Sequence, residues 1–146
     1  MDRTLHCWLY VSTSKMSHAE KWAEFDQLIA LSRSRNATLD VTGALLFSGT
    51  RFAQFLEGPP QGVAVLQDSI RHDSRHDDII TLNSRFLDTR LFPEWSLAYD
   101  GMSQFVEKVI DRALEQNAGG SRTGVDTLLR LLKEFAAKPR GPRAAH

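Results

Sequence analysis

The segment Leu5–Ser12 alternates strictly, with Leu5, Cys7, Leu9 and Val11 on one side and His6, Trp8, Tyr10 and Ser12 on the other. Period two with aromatic and β-branched residues predicts a strand. What constrains the fold is that both sides are bulky. Trp8 and Tyr10 are too large to leave in solvent, so the sheet that holds this strand needs a cover on each face.

The rest of the chain supplies those covers. Ser17-His-Ala-Glu20 has the spacing of a capping box and predicts a helix to about Asn36, with Trp22, Phe25, Leu28 and Ile29 on one stripe. Val41–Phe47 and Phe52–Leu56 read as strands joined by the hairpin Ser48-Gly49-Thr50-Arg51. Glu57-Gly58-Pro59-Pro60 opens a second helix carrying Val63, Leu66 and Ile70, which ends in the polar run His72–Asp78. Ile79–Phe86 and Phe92–Tyr99 are two more strands, the second opening at Phe92-Pro93 as an edge strand does. The first six elements match the split βαβ order. The expected fold is therefore α+β, a ferredoxin-like βαββαββ sandwich with both helices on one face. Two amphipathic helices, about 103–117 and 124–137, are expected to cover the other face. Phe105, Val109 and Leu114 should point inward on the first, and Val125, Leu128, Leu132 and Phe135 on the second. Gly119-Gly120 is the joint, and Pro139 with Pro142 and Gly141 predicts a disordered tail over 138–146.

Composition narrows the function classes. The 146 residues suit one domain, and 18 basic against 18 acidic side chains give nothing global to draw the chain to nucleic acid or an anionic membrane. Lys138, Arg140 and Arg143 lie in the tail, which leaves the body mildly acidic. Cys7 is the single cysteine, so neither an internal disulfide nor a cysteine zinc site can form. Residues 1–16 lack a signal-peptide pattern, and no apolar run approaches the ~20 residues that span a bilayer. A cytoplasmic location is expected.

The core pattern breaks on the first helix and again on the first and third strands. Continuing the first helix's stripe by helical steps from Phe25 and Ile29 lands on Ser32 and Asn36. They are either a wet helix end or polar contacts to a ligand between the two helices. On the third strand Gln54 shares a face with Phe52 and Leu56, and Tyr10 is a phenol on the bulky face of the first strand. A structural Tyr–Gln hydrogen bond explains both, as does a polar ligand.

The segments Trp8-Leu-Tyr10-Val-Ser12, Ser32-Arg-Ser-Arg-Asn36, Val41-Thr-Gly-Ala-Leu-Leu46, Phe52-Ala-Gln-Phe-Leu-Glu-Gly58, Asp73-Ser-Arg-His76 and Phe92-Pro-Glu-Trp-Ser96 together resemble a BLUF domain, the family of blue-light sensors using flavin. The resemblance covers about residues 1–100. It implies a flavin-binding domain over 1–100 and a two-helix cap over 101–137, the short form without a catalytic partner domain. Flavin is expected between the two helices, FAD by family habit with FMN as the alternative.

The resemblance implies that Tyr10 and Gln54 are the photoactive pair. An electron and then a proton leave the phenol on excitation. Gln54 is left rotated or tautomerised, with a new hydrogen bond to the flavin that shifts its absorption to the red. Trp95 matches the tryptophan linked to signal transmission. Asn36 should bind the polar edge of the flavin pyrimidine, with Ser32 a lesser contact. Thr42 and Phe52 should wall the ring, and Arg75 and His76 should face the ribityl or phosphate side. Leu97 stands where the family often has methionine, and Arg35 where it often has an amide or histidine. Trp8, on the same face as Tyr10, is either core beneath the second helix or a competing electron donor.

The remaining constellations are weak. His72 and His76 have a metal-binding spacing but no third ligand, so no metal is expected. No nucleophile elbow or phosphate loop is present. The helix from Gly124 is apolar over more than one stripe, wide enough to join two protomers or hold a downstream protein. The leading reading is a non-enzymatic photoreceptor that signals through its C-terminal helices to a partner protein, with a homo-oligomer expected. A flavin-dependent oxidoreductase and a chromophore-free interaction module are the rivals.

Overall fold

The computed structural model describes residues 4–17, 19–101 and 103–137. The expected disordered tail, 138–146, lies outside the described residues. The element order is β1 (Leu5–Ser14), α1 (Lys21–Thr38), β2 (Thr42–Phe47), β3 (Arg51–Gly58), α2 (Pro60–Arg71), β4 (His76–Leu87), β5 (Trp95–Asp100), α3 (Gln104–Ala118) and α4 (Thr123–Ala136). The five strands form one sheet in the order β4-β1-β3-β2-β5. The first four pair antiparallel, as a ferredoxin-like sheet requires, and β5 is added at the edge, parallel to β2.

Both faces of β1 are buried, and each belongs to a different core. Cys7, Leu9 and Val11 join Ala44, Leu46, Ala53 and Phe55 beneath Val106, Ile110, Leu128 and Leu132 of α3 and α4. Trp8 and Tyr10 join Leu45, Phe52, Leu56 and Trp95 beneath Phe25 and Ile29 of α1 and Val63, Leu66 and Ile70 of α2. Period-two alternation thus sorts the residues of one strand into two layers.

Glycine is required at two points on the sheet. Gly49, with φ 98°, turns the β2–β3 hairpin, where the Ser48 amide bonds to the Arg51 carbonyl at 3.0 Å. Gly43, with φ 150°, lets β3 come close: a Cβ there would stand 1.8 Å from the Phe55 carbonyl oxygen. The cap is tied to the hairpin tip, since Ser48 Oγ donates to Glu107 of α3 at 2.9 Å and Arg51 pairs with Asp111 at 3.3 Å.

Four local expectations need correction. The Ser17–Glu20 box does not cap α1. β1 runs on to Ser14, Met16 is drawn into the core, and the helix starts at Lys21 with no side-chain cap bond. β4 begins at His76, so the polar run belongs partly to a strand; it pairs with Thr13 and Ser14 through an irregular register in which Asp78 takes φ 53°. β5 begins only at Trp95, because Phe92 and Pro93 belong to the preceding loop. On α3 the inward stripe is Val106, Ile110 and Ala113, and Phe105 points outward with 63% of its surface exposed. Val109 and Leu114 are partly buried at the margin of the core, as is Phe135 of α4, which stacks on Tyr99.

Candidate functional site

Tyr10 of β1 and Gln54 of β3 are direct cross-strand partners. Their side chains therefore rise side by side on the face under α1 and α2. Gln54 Nε2 donates to the Tyr10 hydroxyl at 2.6 Å, and Trp95 Nε1 of β5 donates to Gln54 Oε1 at 3.0 Å. The three side chains are 2%, 7% and 8% exposed, so this is a buried polar chain running across three strands. Burial pushes the Tyr10 phenol well above its ordinary range, only partly offset by the bond from Gln54, so it stays protonated at any working pH.

The chain opens into a narrow cleft between the helices. Leu28 of α1, Leu45, Phe52 and Ile70 of α2 give it apolar walls, while Tyr10, Gln54, Ser32, Arg35, Asp73, Arg75 and His76 bring polar groups to it. Few convergent polar groups on apolar walls are what a small-molecule site needs. Ser32 and Asn36 continue the buried stripe of Phe25 and Ile29, so neither lies at a wet helix end. Asn36 is 1% exposed, yet its Oδ1 has no hydrogen-bond partner. Arg35 Nε is likewise buried without a partner, although Nη1 of the same residue donates to Ser69 Oγ of α2 at 3.0 Å. Burial also lowers the Arg35 pKa. An orphan acceptor and an orphan donor on consecutive residues each cost about 1–3 kcal/mol. Their chemistry fits the imide edge of a flavin pyrimidine, which offers an N–H between two carbonyls.

His76 is fixed rather than free. Its Nε2 lies 2.7 Å from the Ile70 carbonyl, which can only accept, so Nε2 carries the proton and Nδ1 accepts from Ser12 Oγ at 2.7 Å. The ring packs edge-on to both Tyr10 and Phe52. Arg75 holds Asp73 through its backbone amide at 2.9 Å and its guanidinium at 2.8 Å. The Asp73–His76 turn is thus clamped at the mouth of the cleft.

Four expected residues do not line this cleft: Asn36, one turn beyond Ser32 on α1, Trp95, which reaches it through Gln54, and Thr42 and Leu97. Thr42 accepts from Arg90 Nη1 at 2.7 Å and faces a separate cleft with Arg33, Asp40 and Pro93. Leu97 is buried opposite Leu45 in the sheet but does not line that first cleft. Trp8 is fully buried core beneath α2, and it also stacks on Tyr10 with ring centroids 4.5 Å apart. His72 caps α2 while His76 starts β4, so the pair does not share a helix, and among the described residues no three potential ligands cluster around a metal position.

Sequence reasoning marked Arg35 only as a departure from a pattern. Its place three residues after Ser32 on the same helical face was the available signal. Glu57 was passed over. Its carboxylate is fully buried and accepts from the Leu91 and Phe92 amides at 2.8 and 2.6 Å, which pins the loop leading to Trp95.

Comparison with known proteins agrees with this geometry. The family model described as "BLUF: Sensors of blue-light using FAD" matches residues 5–98. The photoactivated adenylate cyclase subunit beta of Euglena longa is 36% identical over 99 residues, 66% of this chain and 11% of that protein. The blue light- and temperature-regulated antirepressor BluF of Escherichia coli (strain K12) is 36% identical over 69 residues, 47% of this chain and 17% of that protein. The chain thus spans less than a fifth of the length of either relative. Among solved structures, the dark state of BlrB, a BLUF protein, superposes with a TM-score of 0.68 at 24% identity, covering 94% of this chain and 100% of that one.

Proposed function

The chain belongs to the BLUF family, sensors of blue light using FAD, and from that premise we propose that it is a blue-light photoreceptor whose switch is the Tyr10–Gln54–Trp95 chain. The family is one of sensors, and the reading adds no turnover of substrate. The observation that carries it is the buried glutamine held between a phenol and an indole at the edge of a cleft lined by Ser32 and Arg35, with the unpartnered Asn36 oxygen next to Arg35 on α1.

A bound flavin supplies visible absorption and, once excited, a one-electron oxidant. Asn36 and Ser32 bind and orient its polar edge, Phe52 walls it, and Arg75 and His76 lie toward its ribityl or phosphate side. FAD is the proposed occupant and FMN the alternative. Thr42 and Leu97 support the site from outside the cleft. Tyr10, which lines the cleft, would give up an electron and then its phenolic proton to that same bound group and recover both in the dark, and its raised pKa keeps the proton in place before excitation. Gln54 then sets the direction of the switch. With Nε2 turned to Tyr10 and Oε1 to Trp95, every contact pairs a donor with an acceptor. A half-turn of the amide lets Tyr10 donate to Oε1, but it also points Nε2–H at Trp95 Nε1–H. Two donors then face each other, so the indole loses its bond and β5 feels the change. We place the output at α3 and α4, with a partner protein or a second copy as the receiver.

The absorption spectrum before, during and after blue illumination tests the reading. Bands that shift slightly to the red and return in the dark are expected, with the shift abolished in Tyr10→Phe and Gln54→Leu. Irreversible bleaching, or failure to bind any flavin after reconstitution, overturns it.

A further inference from the structure

Three oxidisable rings surround Gln54: Tyr10, Trp95 bonded to its amide, and Trp8 stacked on Tyr10 at 4.5 Å with an interplanar angle of 28°. Neither tryptophan lines the cleft, but each touches a side chain that does, Trp8 stacking on Tyr10 and Trp95 bonding to Gln54, so either could pass an electron through it. The two tryptophans share a feature that Tyr10 lacks. Arg71, the last residue of α2, sets its guanidinium 5.2 Å from the Trp8 ring centroid. Arg33 of α1 does the same to Trp95 at 5.4 Å. Both arginines are at the surface, and neither forms an ion pair among the described residues, so each leaves its charge on the ring beneath it.

We propose that Arg71 and Arg33 confine photo-oxidation to Tyr10 by repelling positive charge from the two neighbouring tryptophans, a selectivity device that rests on the photoreceptor reading above. The distinction lies in what each ring becomes. Tyr10 lines the cleft, so it loses one electron to the excited flavin and its phenolic proton follows to that same acceptor, leaving a neutral tyrosyl radical to which a nearby cation is nearly indifferent. Trp8 donates its Nε1–H to Thr81 Oγ1 at 2.9 Å, and Trp95 to Gln54 Oε1. A hydroxyl and an amide oxygen are too weakly basic to take that proton. Oxidised tryptophan would therefore keep it and remain a radical cation, held about 5 Å beneath a guanidinium. The same arginines attract the neutral rings through their π faces, so oxidation both loses an attraction and gains a repulsion. The electron returns to Tyr10 in the dark, and nothing is consumed.

The test uses the full chain as purified, in a Trp22→Phe background so that only Trp8 and Trp95 report. Transient absorption after a blue pulse should show no tryptophan radical in this parent. In R71Q a tryptophan radical should appear, with a reduced yield of the red-shifted form, and it should vanish when Trp8→Phe is added. R33Q should do the same through Trp95. R71K, which keeps the charge, should behave as the parent. A second measurement needs no light: azidyl radicals from pulse radiolysis withdraw one electron from indole side chains. The share of that oxidation remaining on tryptophan rather than Tyr10 should rise on the order of 10-fold in R71Q and in R33Q. Unchanged partition in both variants overturns the proposal, and so does an R71K that matches R71Q. A parent with no light-induced shift overturns the photoreceptor reading, while the dark partition still decides whether the arginines set the order of oxidation.

Discussion

The two faces of the sheet are built from the same five strands and to opposite specifications. Under α3 and α4 the interior is mostly hydrocarbon, Leu9, Val11, Leu46 and Phe55 meeting Ile110, Leu128 and Leu132, and the buried Glu57 carboxylate at its margin is met by two loop amides. Under α1 and α2 the face is equally buried, but Ser12, Ser32, Asn36 and Gln54 are set into it. The first face can be explained by burial alone. The second gives up stability to polar groups, and one of the four, Asn36, has an oxygen with no partner in the chain, as has the neighbouring Arg35 Nε. Among the described residues two of the three buried orphan atoms thus adjoin this face, on consecutive residues of α1, while the third, Gln116 Oε1, lies beside Gly124 between α3 and α4.

If that contrast is right, the largest stability effect should come from the face without chemistry. Leu128 of α4 is fully buried in the centre of its core. Leu128→Ala should cost about 2–5 kcal/mol, read as a lowered urea midpoint. The position and size of the light-induced shift should stay as in the parent. A variant that loses little stability, or that changes the dark spectrum, would show that the two cores are not separate in function. By the same logic the cap cannot be treated as detachable, since α3 and α4 supply half of that core.

Much of this division was legible in the sequence. Within single strands period two separated Trp8 and Tyr10 from Leu9 and Val11 and put Gln54 with Phe52 and Leu56, and both groupings hold in the sheet, which adds that Gln54 stands opposite Tyr10. The helical stripe ending in Ser32 and Asn36 was equally readable. What was not legible depends on neighbours remote in sequence. Phe105 and Val106 are adjacent apolar residues, and only the docking angle of α3 decides that Val106 goes in and Phe105 out. His76 sits at the start of a strand because Ser12 and the Ile70 carbonyl, 64 and 6 residues away, hold its two nitrogens. The arginines over Trp8 and Trp95 read as ordinary charged helix surface until the rings beneath them are placed.

A smaller effect of opposite sign sharpens the comparison on the polar face. Asn36→Leu removes an unpartnered buried acceptor and places a better helix former on α1. In chain stripped of flavin it should raise stability by about 1 kcal/mol, while flavin affinity falls. Urea unfolding of the stripped protein and fluorescence titration with FAD measure the two halves. Destabilisation by this substitution would make Asn36 a structural residue and remove the main evidence that this face trades stability for a ligand.

The smallest effect lies on the cap face, at Glu57, which shares its side of β3 with Ala53 and Phe55. Desolvation raises its pKa, and the bonds from Leu91 and Phe92 and the nearby Arg90 only partly offset that. A carboxyl whose pKa is higher folded than unfolded binds its proton more tightly in the native state. Its contribution to stability is therefore fully present below the ordinary glutamate range and is lost as pH rises through the raised value. Glu57→Gln accepts the same loop amides through its carbonyl oxygen but does not titrate. The difference in urea midpoint between parent and Glu57→Gln should thus change in favour of the variant as pH rises across that window, and level off above it. A difference that moves the other way would mean that the paired amides outweigh burial, so that the loop before Trp95 is held by an anion rather than in spite of one.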